Sequence, residues 1–364
     1  MNRFLLDEPI QARPVRQAER LWRVCRRHRL VTALSVGLVL LPITAAVVGR
    51  YAGRTASSPL GLNPRPISEM PTRSAQGVAG VIDGKIYVTS PEIGVSYTFP
   101  RFLHVYDPAV NSWKRLADSS AWHINAAGGV VDGKLYVAGG QDRTYRVGNT
   151  LEAYDPDSDT WSNKAPMPTA RCFCAGAVIN GRLYVIGGDD GTNSLSIVES
   201  YDPKADRWTT EEPMLTARGG HGVAAINGTL YAVGGSTRQS IVATLETWKP
   251  GGKWAVTSDP MPTPVAHAFV AASADALYVA GGSANGAIGD LQVFEPQRNI
   301  SDKRRPMPEV RYQGSGAVVL NGELYLFGGW DDLPTSRVPH ADVFVYDLLH
   351  NSWRRSKPSG TAAP

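Results

Sequence analysis

Cysteine is scarce in this sequence. Only Cys25, Cys172 and Cys174 are present, too few for a disulfide framework. Cys172 and Cys174 stand two apart, which on a strand puts both on one face. Thiols at that spacing are poorly placed for an unstrained bridge, so they are read as reduced packing residues. Histidine is sparse too. The seven histidines show no metal-ligand spacing, and no Ser-His-Asp order, phosphate-binding glycine loop or paired-cysteine ligand set is visible. The sequence therefore points to no catalytic residue, no metal and no cofactor. Charge is modest, at 19% of residues, and unevenly placed. Residues 1–54 carry ten Arg and three acids, a balance of +7, whereas residues 55–364 carry 27 Lys and Arg against 30 Asp and Glu, a balance of −3. The basic character belongs to the N-terminal tail, and nothing in the main domain argues for nucleic acid.

Only one long apolar run occurs. Leu30 to Gly49 is 20 residues without a charge, and a helix of that length spans about 30 Å, the hydrocarbon thickness of a bilayer. Pro42 lies inside it, which a membrane helix tolerates. Arg13, Arg16, Arg20, Arg23, Arg26, Arg27 and Arg29 precede it, and Arg50 and Arg54 follow. Positive-inside counting puts residues 1–29 in the cytoplasm, a signal-anchor helix at 30–49, and the rest of the chain outside the cytoplasm. Residues 50–66 read as a linker. The rival reading is a cleaved signal peptide; it fits a shorter leader, a shorter apolar core and a clearer small-residue site better than it fits this segment.

Glycine and proline are plentiful, at 37 and 26 residues, as in proteins of many short strands and tight turns. They recur in register. Tyr87, Tyr136, Tyr184, Tyr231, Tyr278 and Tyr325 are spaced by 49, 48, 47, 47 and 47 residues. Three residues after each comes a glycine pair (Gly139–Gly140, Gly187–Gly188, Gly234–Gly235, Gly281–Gly282, Gly328–Gly329), except that the first repeat has Ser90–Pro91. Before each tyrosine stands a two-residue turn, Asp83–Gly84, Asp132–Gly133, Asn180–Gly181, Asn227–Gly228, Asp275–Ala276 and Asn321–Gly322. Five of these six are Asn-Gly or Asp-Gly, which accept the positive φ of a type I′ hairpin. A third strand ends in Tyr106–Asp107 and its counterparts. A fourth carries Trp113, Trp161, Trp208, Trp254 and Trp353, with Ile300 near that place in the fifth repeat.

Four short antiparallel strands per unit cannot bury both faces alone, whereas radial stacking lets the sheets cover one another. The glycine pair, tyrosine and tryptophan at these offsets resemble the kelch-repeat family over about residues 70–356. The expected fold is all-β: a six-bladed kelch-type β-propeller over residues 67–358, preceded by one transmembrane α-helix and followed by a tail at 359–364. No spare strand is seen to join the first and last blades, although residues 60–69 leave room for one.

In such a propeller the segments entering the first strand of each blade share one end with the loops between second and third strands. At the strand entry the aligned residues are Ser74, His123, Arg171, Arg218, Val265 and Tyr312, with Arg73, Trp122 and Arg311 one place earlier and Gln76, Asn125 and His267 two places further on. Arginine's planar fork suits carboxylates, and the resemblance implies that arginines here hold acidic peptide side chains. The alternative is that each only pairs with an acid of a neighbouring blade. The longest loops belong to the first and last blades, with Tyr97, Phe99, Arg101 and Phe102 in one and Trp330, Asp331, Asp332, Arg337 and His340 in the other. Aromatics with arginine are the residue types that anchor interfaces; the alternative is a variable, solvated loop. Two functions are expected from these readings. The first is a non-catalytic module, tethered to the membrane, that binds a protein, an acidic peptide or a sugar ligand on this face. The second is an extracytoplasmic carbohydrate-active enzyme resembling kelch-fold sialic-acid mutarotases.

Overall fold

The computed structural model describes residues 66–91, 101–237, 239–331 and 339–357. The predicted membrane helix at 30–49 lies outside them, and among the described residues no helix is long and apolar enough to cross a membrane. The described residues hold six four-stranded antiparallel sheets, each made of four consecutive strands. Blade 1 comprises β1 (Ala79–Ile82), β2 (Lys85–Pro91), β3 (Arg101–Asp107) and β4 (Ser112–Arg115). Blade 2 comprises β5 (Ala127–Val131), β6 (Lys134–Ala138), β7 (Leu151–Asp155) and β8 (Thr160–Lys164). Blade 3 comprises β9 (Ala175–Ile179), β10 (Arg182–Ile186), β11 (Val198–Asp202) and β12 (Arg207–Thr210). Blade 4 comprises β13 (Gly222–Ile226), β14 (Thr229–Val233), β15 (Leu245–Trp248) and β16 (Ala255–Val256). Blade 5 comprises β17 (Phe269–Ala272), β18 (Leu277–Ala280), β19 (Leu291–Glu295) and β20 (Ile300–Arg304). Blade 6 comprises β21 (Ala317–Leu320), β22 (Glu323–Phe327), β23 (Val343–Asp347) and β24 (Ser352–Arg355). First strands touch in the order β1, β5, β9, β13, β17, β21 and back to β1. The result is a closed six-bladed propeller with the innermost strands around an axis.

The repeating residues explain the assembly. Second and third strands are buried on both faces, so the core lies between blades. The second-strand tyrosine of one blade meets the third-strand aromatic of the next: Tyr87 with Tyr154, Tyr136 with Tyr201, Tyr184 with Trp248, Tyr231 with Phe294, Tyr325 with Tyr106. The fourth-strand tryptophan clamps the preceding blade. Trp161 Nε1 donates to Ala117 O while Asp159 accepts from Ala117 N, and Trp208 and Asp206 treat Ala165 alike. Trp353 and Asn351 do the same to Arg305. In three blades the first glycine of the pair leaves room for the methionine at the start of the next unit: a Cβ on Gly139 would lie 2.7 Å from Met167 Cε, one on Gly187 2.7 Å from Met214 Cε, and one on Gly281 3.2 Å from Met307 Sδ.

The two irregular blades differ as their sequences do. Without the glycine pair, β2 and β3 run on to seven residues each and pair as far as Pro91 with Arg101. In blade 5, strand register puts Ser301, not Ile300, opposite Phe294 in the tryptophan column. The clamp there is reversed: the Asp259 carboxylate accepts from Ser301 N.

Among the described residues no strand is exchanged to close the ring. The entering segment is stitched to blade 6 instead. Met70 N donates to Ala341 O, Ser74 N donates to His340 O, and Ser68 bridges Lys357 in parallel. Of residues 60–69, the described ones begin at 66, and among them Ser68 makes a single bridge.

Candidate functional site: the neck and mouth of the propeller

A closed circle of six backbone hydrogen bonds surrounds the axis at the entry to the first strands. Asn125 N donates to Gln76 O at 3.0 Å, Phe173 N to Asn125 O at 2.8 Å, and Gly220 N to Phe173 O at 2.9 Å. His267 N donates to Gly220 O at 2.6 Å, Gln313 N to His267 O at 2.9 Å, and Gln76 N to Gln313 O at 2.8 Å, which completes it. All six residues have positive φ, from 48° at Gln313 to 62° at Gln76 and Gly220. This left-handed kink turns each incoming chain so that its N–H faces the previous blade and its C=O the next. Left-handed backbone is uncommon outside glycine, so a full ring of it is held by mutual hydrogen bonding.

The side chains of that circle form a neck over a central channel of about 510 Å³. Gln76 Nε2 lies 3.3 Å from Gln313 Oε1, Gln313 Nε2 lies 3.3 Å from His267 Nδ1, and the Phe173 and His267 rings meet edge-on at 5.5 Å. The last two reach each other because Gly220 stands between them; a Cβ there would fall 2.5 Å from the imidazole. Burial lowers the pKa of His267 to about 4, so the ring is neutral at pH 7. The channel walls are mostly glycine, alanine and valine from the six first strands, and include Cys174, His221 and Phe269.

The charged residues expected at this opening lie behind the neck. Arg171, Arg218 and Arg311 are among the most buried side chains, at 0%, 0% and 2% exposure. Arg171 pairs with Glu199 at 2.7 Å and donates to Val185 O, and Arg218 pairs with Glu246 and donates to Gly234 O and Thr244 Oγ1. Arg311 pairs with Asp342 at 2.6 Å and Glu309 at 2.8 Å. His123 takes the same place in blade 2, 2.9 Å from Glu152. Burial alone would raise the Glu152 pKa, but hydrogen bonds from His123, Ser120 and Ala121 bring it down to about 2. Blades 5 and 1 replace the ion pair: Val265 stands with Gln292, which bonds the Thr263 backbone, and Ser74 bonds Ser315 with His104 in the acid's place. An open arginine ring is therefore not what the structure shows. Each arginine pairs with acid from its own blade, not from a neighbour. The aligned residue in blade 6 is Arg311 rather than Tyr312, since Gly282 N donates to Arg311 O as Gly235 N does to Val265 O. One extra residue between Arg311 and β21 shifts the spacing.

The remaining expected residues lie around the rim. Arg73 is exposed. Trp122 is half-buried with the Arg101 guanidinium 5.2 Å above its ring, and Arg115 covers Phe102 at 4.1 Å. Tyr312 and Trp330 exchange backbone hydrogen bonds, and Asp331 holds His340 at 2.8 Å. Tyr97, Phe99, Asp332 and Arg337 lie outside the described residues.

The kelch motif matches residues 124–168, 170–215, 217–261 and 311–359. This chain belongs to the kelch-repeat family. The two units that escape the motif are those without the glycine pair or without the tryptophan. No curated protein matches the sequence. Among solved structures, that of YjhT resembles this kelch propeller with a TM-score of 0.68, at 18% identity, over 80% of this chain and 99% of that one. That likeness is one of fold.

Three neck residues of the kelch propeller escape a reading of residue types: Phe173, Gly220 and Gln313. Glutamine, asparagine, phenylalanine, glycine and histidine share no chemistry, and only their spacing of 49, 48, 47, 47 and 46 residues from Gln76 joins them. Cys172 and Cys174 are free and buried, and burial pushes the Cys172 thiol up to about 12. They do not sit on a strand, for Phe173 between them is left-handed and β9 starts at Ala175.

Proposed function

We propose that this kelch propeller is a non-catalytic binding module, tethered by an N-terminal signal anchor at residues 30–49 and displayed outside the cytoplasm, which takes a protein partner at the neck and mouth. One observation carries the binding half of this reading. The acids and bases of the strand entries are consumed in buried ion pairs, whereas the neck offers amides, an aromatic ring and a neutral imidazole on a rigid frame. Such a surface suits recognition. The enzyme expectation, a sugar carboxylate held by Arg171, Arg218 and Arg311, needs those guanidinium groups free, and they are buried and paired. The membrane half rests on the charge-free run and the arginines before it.

Two experiments test the reading. Photo-crosslinking residues placed at Asn125 and Gln313 are expected to trap a partner in cells of the source, and the same group at Asn180, on a hairpin turn of the opposite end, to trap none. Trapping from Asn180 alone would overturn the site. Protease added to intact cells is expected to release the propeller; full protection would overturn the topology.

A further inference from the structure

The residue five places before each column tyrosine closes the first strand in five blades: Ile82, Val131, Ile179, Ile226 and Leu320. These side chains share one task. Each packs in a cluster with the third-strand aromatic of the next blade: Ile82 with Tyr154, Val131 with Tyr201, Ile179 with Trp248, Ile226 with Phe294, and Leu320 with Tyr106. They plug the junctions between blades. In blade 5 the same place holds Ser273, and β17 stops one residue sooner, at Ala272. The Ser273 hydroxyl folds back on its own turn, where it accepts from Ala276 N at 3.1 Å and Asp275 N at 3.3 Å. Ser273 N donates to Ala276 O, so the turn here is Ala274–Asp275 rather than Asp275–Ala276, and neither residue has a positive φ. The junction of blades 5 and 6 therefore has no plug.

A second cover is lost at the same place. Just after the turn, Lys85, Lys134 and Arg182 reach across to the acid that ends the third strand, Asp107, Asp155 and Asp202. Blade 5 has Ala276 there, and its acid, Glu295, is held instead by Arg298 at 3.0 Å and Arg304 at 3.1 Å. The two losses coincide with a cleft of about 600 Å³ among the hairpin turns, walled in part by Val293 and Leu348. Tyr278 lines it, half-buried. The other five column tyrosines each meet an aromatic ring of the adjoining blade. Tyr278 makes no ring contact and no side-chain hydrogen bond among the described residues. Asp275 also lines the cleft, exposed and in no ion pair among the described residues.

We propose that this cleft is a small-molecule site for a flat aromatic ring carrying an N–H or O–H donor, as in an indole or a phenol. Three points lead to it. The volume falls in the range of ligand pockets and exceeds one branched side chain, so the place of the plug is open to a molecule from solvent. The unpartnered Tyr278 ring and the planar guanidinium groups of Arg298 and Arg304 are surfaces on which a ring stacks. Both arginines are engaged by Glu295, whereas the Asp275 carboxylate and the Tyr278 hydroxyl are free to accept from the ligand's donor. The cleft lies at the other end from the neck, so its occupancy is independent of the mouth.

The full chain in detergent is irradiated with a diazirine-bearing indole, and the labelled residues are located by mass spectrometry. Label is expected on residues 273–278 and 346–349, and excess indole is expected to suppress it about tenfold or more. Ser273→Ile/Ala274→Asn/Asp275→Gly gives blade 5 the Ile-Asn-Gly of blade 3. It is expected to remove the indole-sensitive label and to raise Tm by about 2–4 °C, since the plug now fills the cleft. Asp275→Ala, at an exposed position, is expected to leave Tm unchanged and to weaken suppression by indole about fivefold or more through one lost hydrogen bond to a charged acceptor. That second variant separates loss of a ligand contact from loss of folding. Label that indole does not suppress, label found only outside the cleft, unchanged label in the triple variant, a lower Tm for that variant, or unchanged suppression in Asp275→Ala would each overturn the inference.

Discussion

At the scale of single residues, this propeller concentrates ionic chemistry where solvent does not reach. Arg218 and Glu246 are both at 0% exposure and bonded to each other. Two buried charges that satisfy each other contribute little net stability, whereas one left alone is costly. Arg218→Met is therefore expected to destabilise by about 3–5 kcal/mol, and Arg218→Met with Glu246→Met to recover most of that loss, measured by urea unfolding. A double variant no better than the single would show that the pair does more than satisfy itself. Histidine gives a second test. Burial lowers His104 to about 4, His221 to about 3 and His267 to about 4, with Arg115 adding to the effect at His104 and Arg218 at His221. An unfolded histidine titrates near 6.5. Below that pH the unfolded chain takes up protons that the folded chain refuses, so stability is full above about 6.5 and is lost as pH falls toward 4 and then 3. Both ring nitrogens of His221 lack a partner, and Ala126 and Ala268 hold its place in other blades. His221→Ala is expected to remove on the order of 2 kcal/mol of the loss between pH 7 and pH 5, read from urea midpoints at the two values. An unchanged pH slope would exclude His221 from the acid response.

At the scale of the blade, glycines of positive φ have unequal standing. Gly181 has φ 72° in the hairpin turn, and a Cβ there meets nothing within 4 Å. Gly188 has φ 107°, and a Cβ there would fall 2.6 Å from Cys172 O and 2.8 Å from Cys174 Cβ. Gly181→Ala is expected to cost about 1 kcal/mol through the backbone alone. Gly188→Ala is expected to cost on the order of 3 kcal/mol or more, since clash adds to strain, with thermal or urea melts as the measure. Equal costs would mean that the mouth end yields as freely as a surface turn. The contrast also marks what the sequence made legible. Turn glycines, tyrosines, tryptophans and glycine pairs each carry a side-chain or backbone requirement that repeats, so blades and strand order could be read off directly. The acids at Glu152, Glu199 and Glu246 repeat in one column as well, with Asp342 two places before it in blade 6, but they lie 28 to 31 residues after their partners. Only the sheet brings them together, and the arginines alone looked like an open ring. The left-handed Tyr145, between β6 and β7, is illegible for another reason: its φ of 62° belongs to one loop and is a property of the backbone rather than of a motif.

At the scale of the whole molecule, the question is what keeps six blades in a circle when no strand among the described residues is exchanged between the first and the last. The outer stitches from Met70 and Ser74 to blade 6 hold that seam from one side. At the axis, the hydrogen-bond circle passes through the seam at a single link, Gln76 N to Gln313 O at 2.8 Å. In an open array each repeat contacts only its neighbours and ends can fray; in a closed one, fraying must first break a link. Gln76 therefore separates backbone from side chain. Gln76→Gly keeps the N–H and adopts φ 62° freely, losing only the long amide contact to Gln313, and is expected to change stability by less than about 1 kcal/mol. Gln76→Pro lacks the N–H and cannot take a positive φ, so it opens the ring at the seam, with an expected loss of about 3 kcal/mol or more. Hydrogen exchange locates the effect: in Gln76→Pro, faster exchange is expected at β1 and β21 while β9 and β13 on the far side keep their protection. If Gln76→Pro matches Gln76→Gly in urea, the entering segment at Met70–Ser74 suffices for closure. The circle at the neck would then be a means of shaping the mouth rather than of holding the propeller shut.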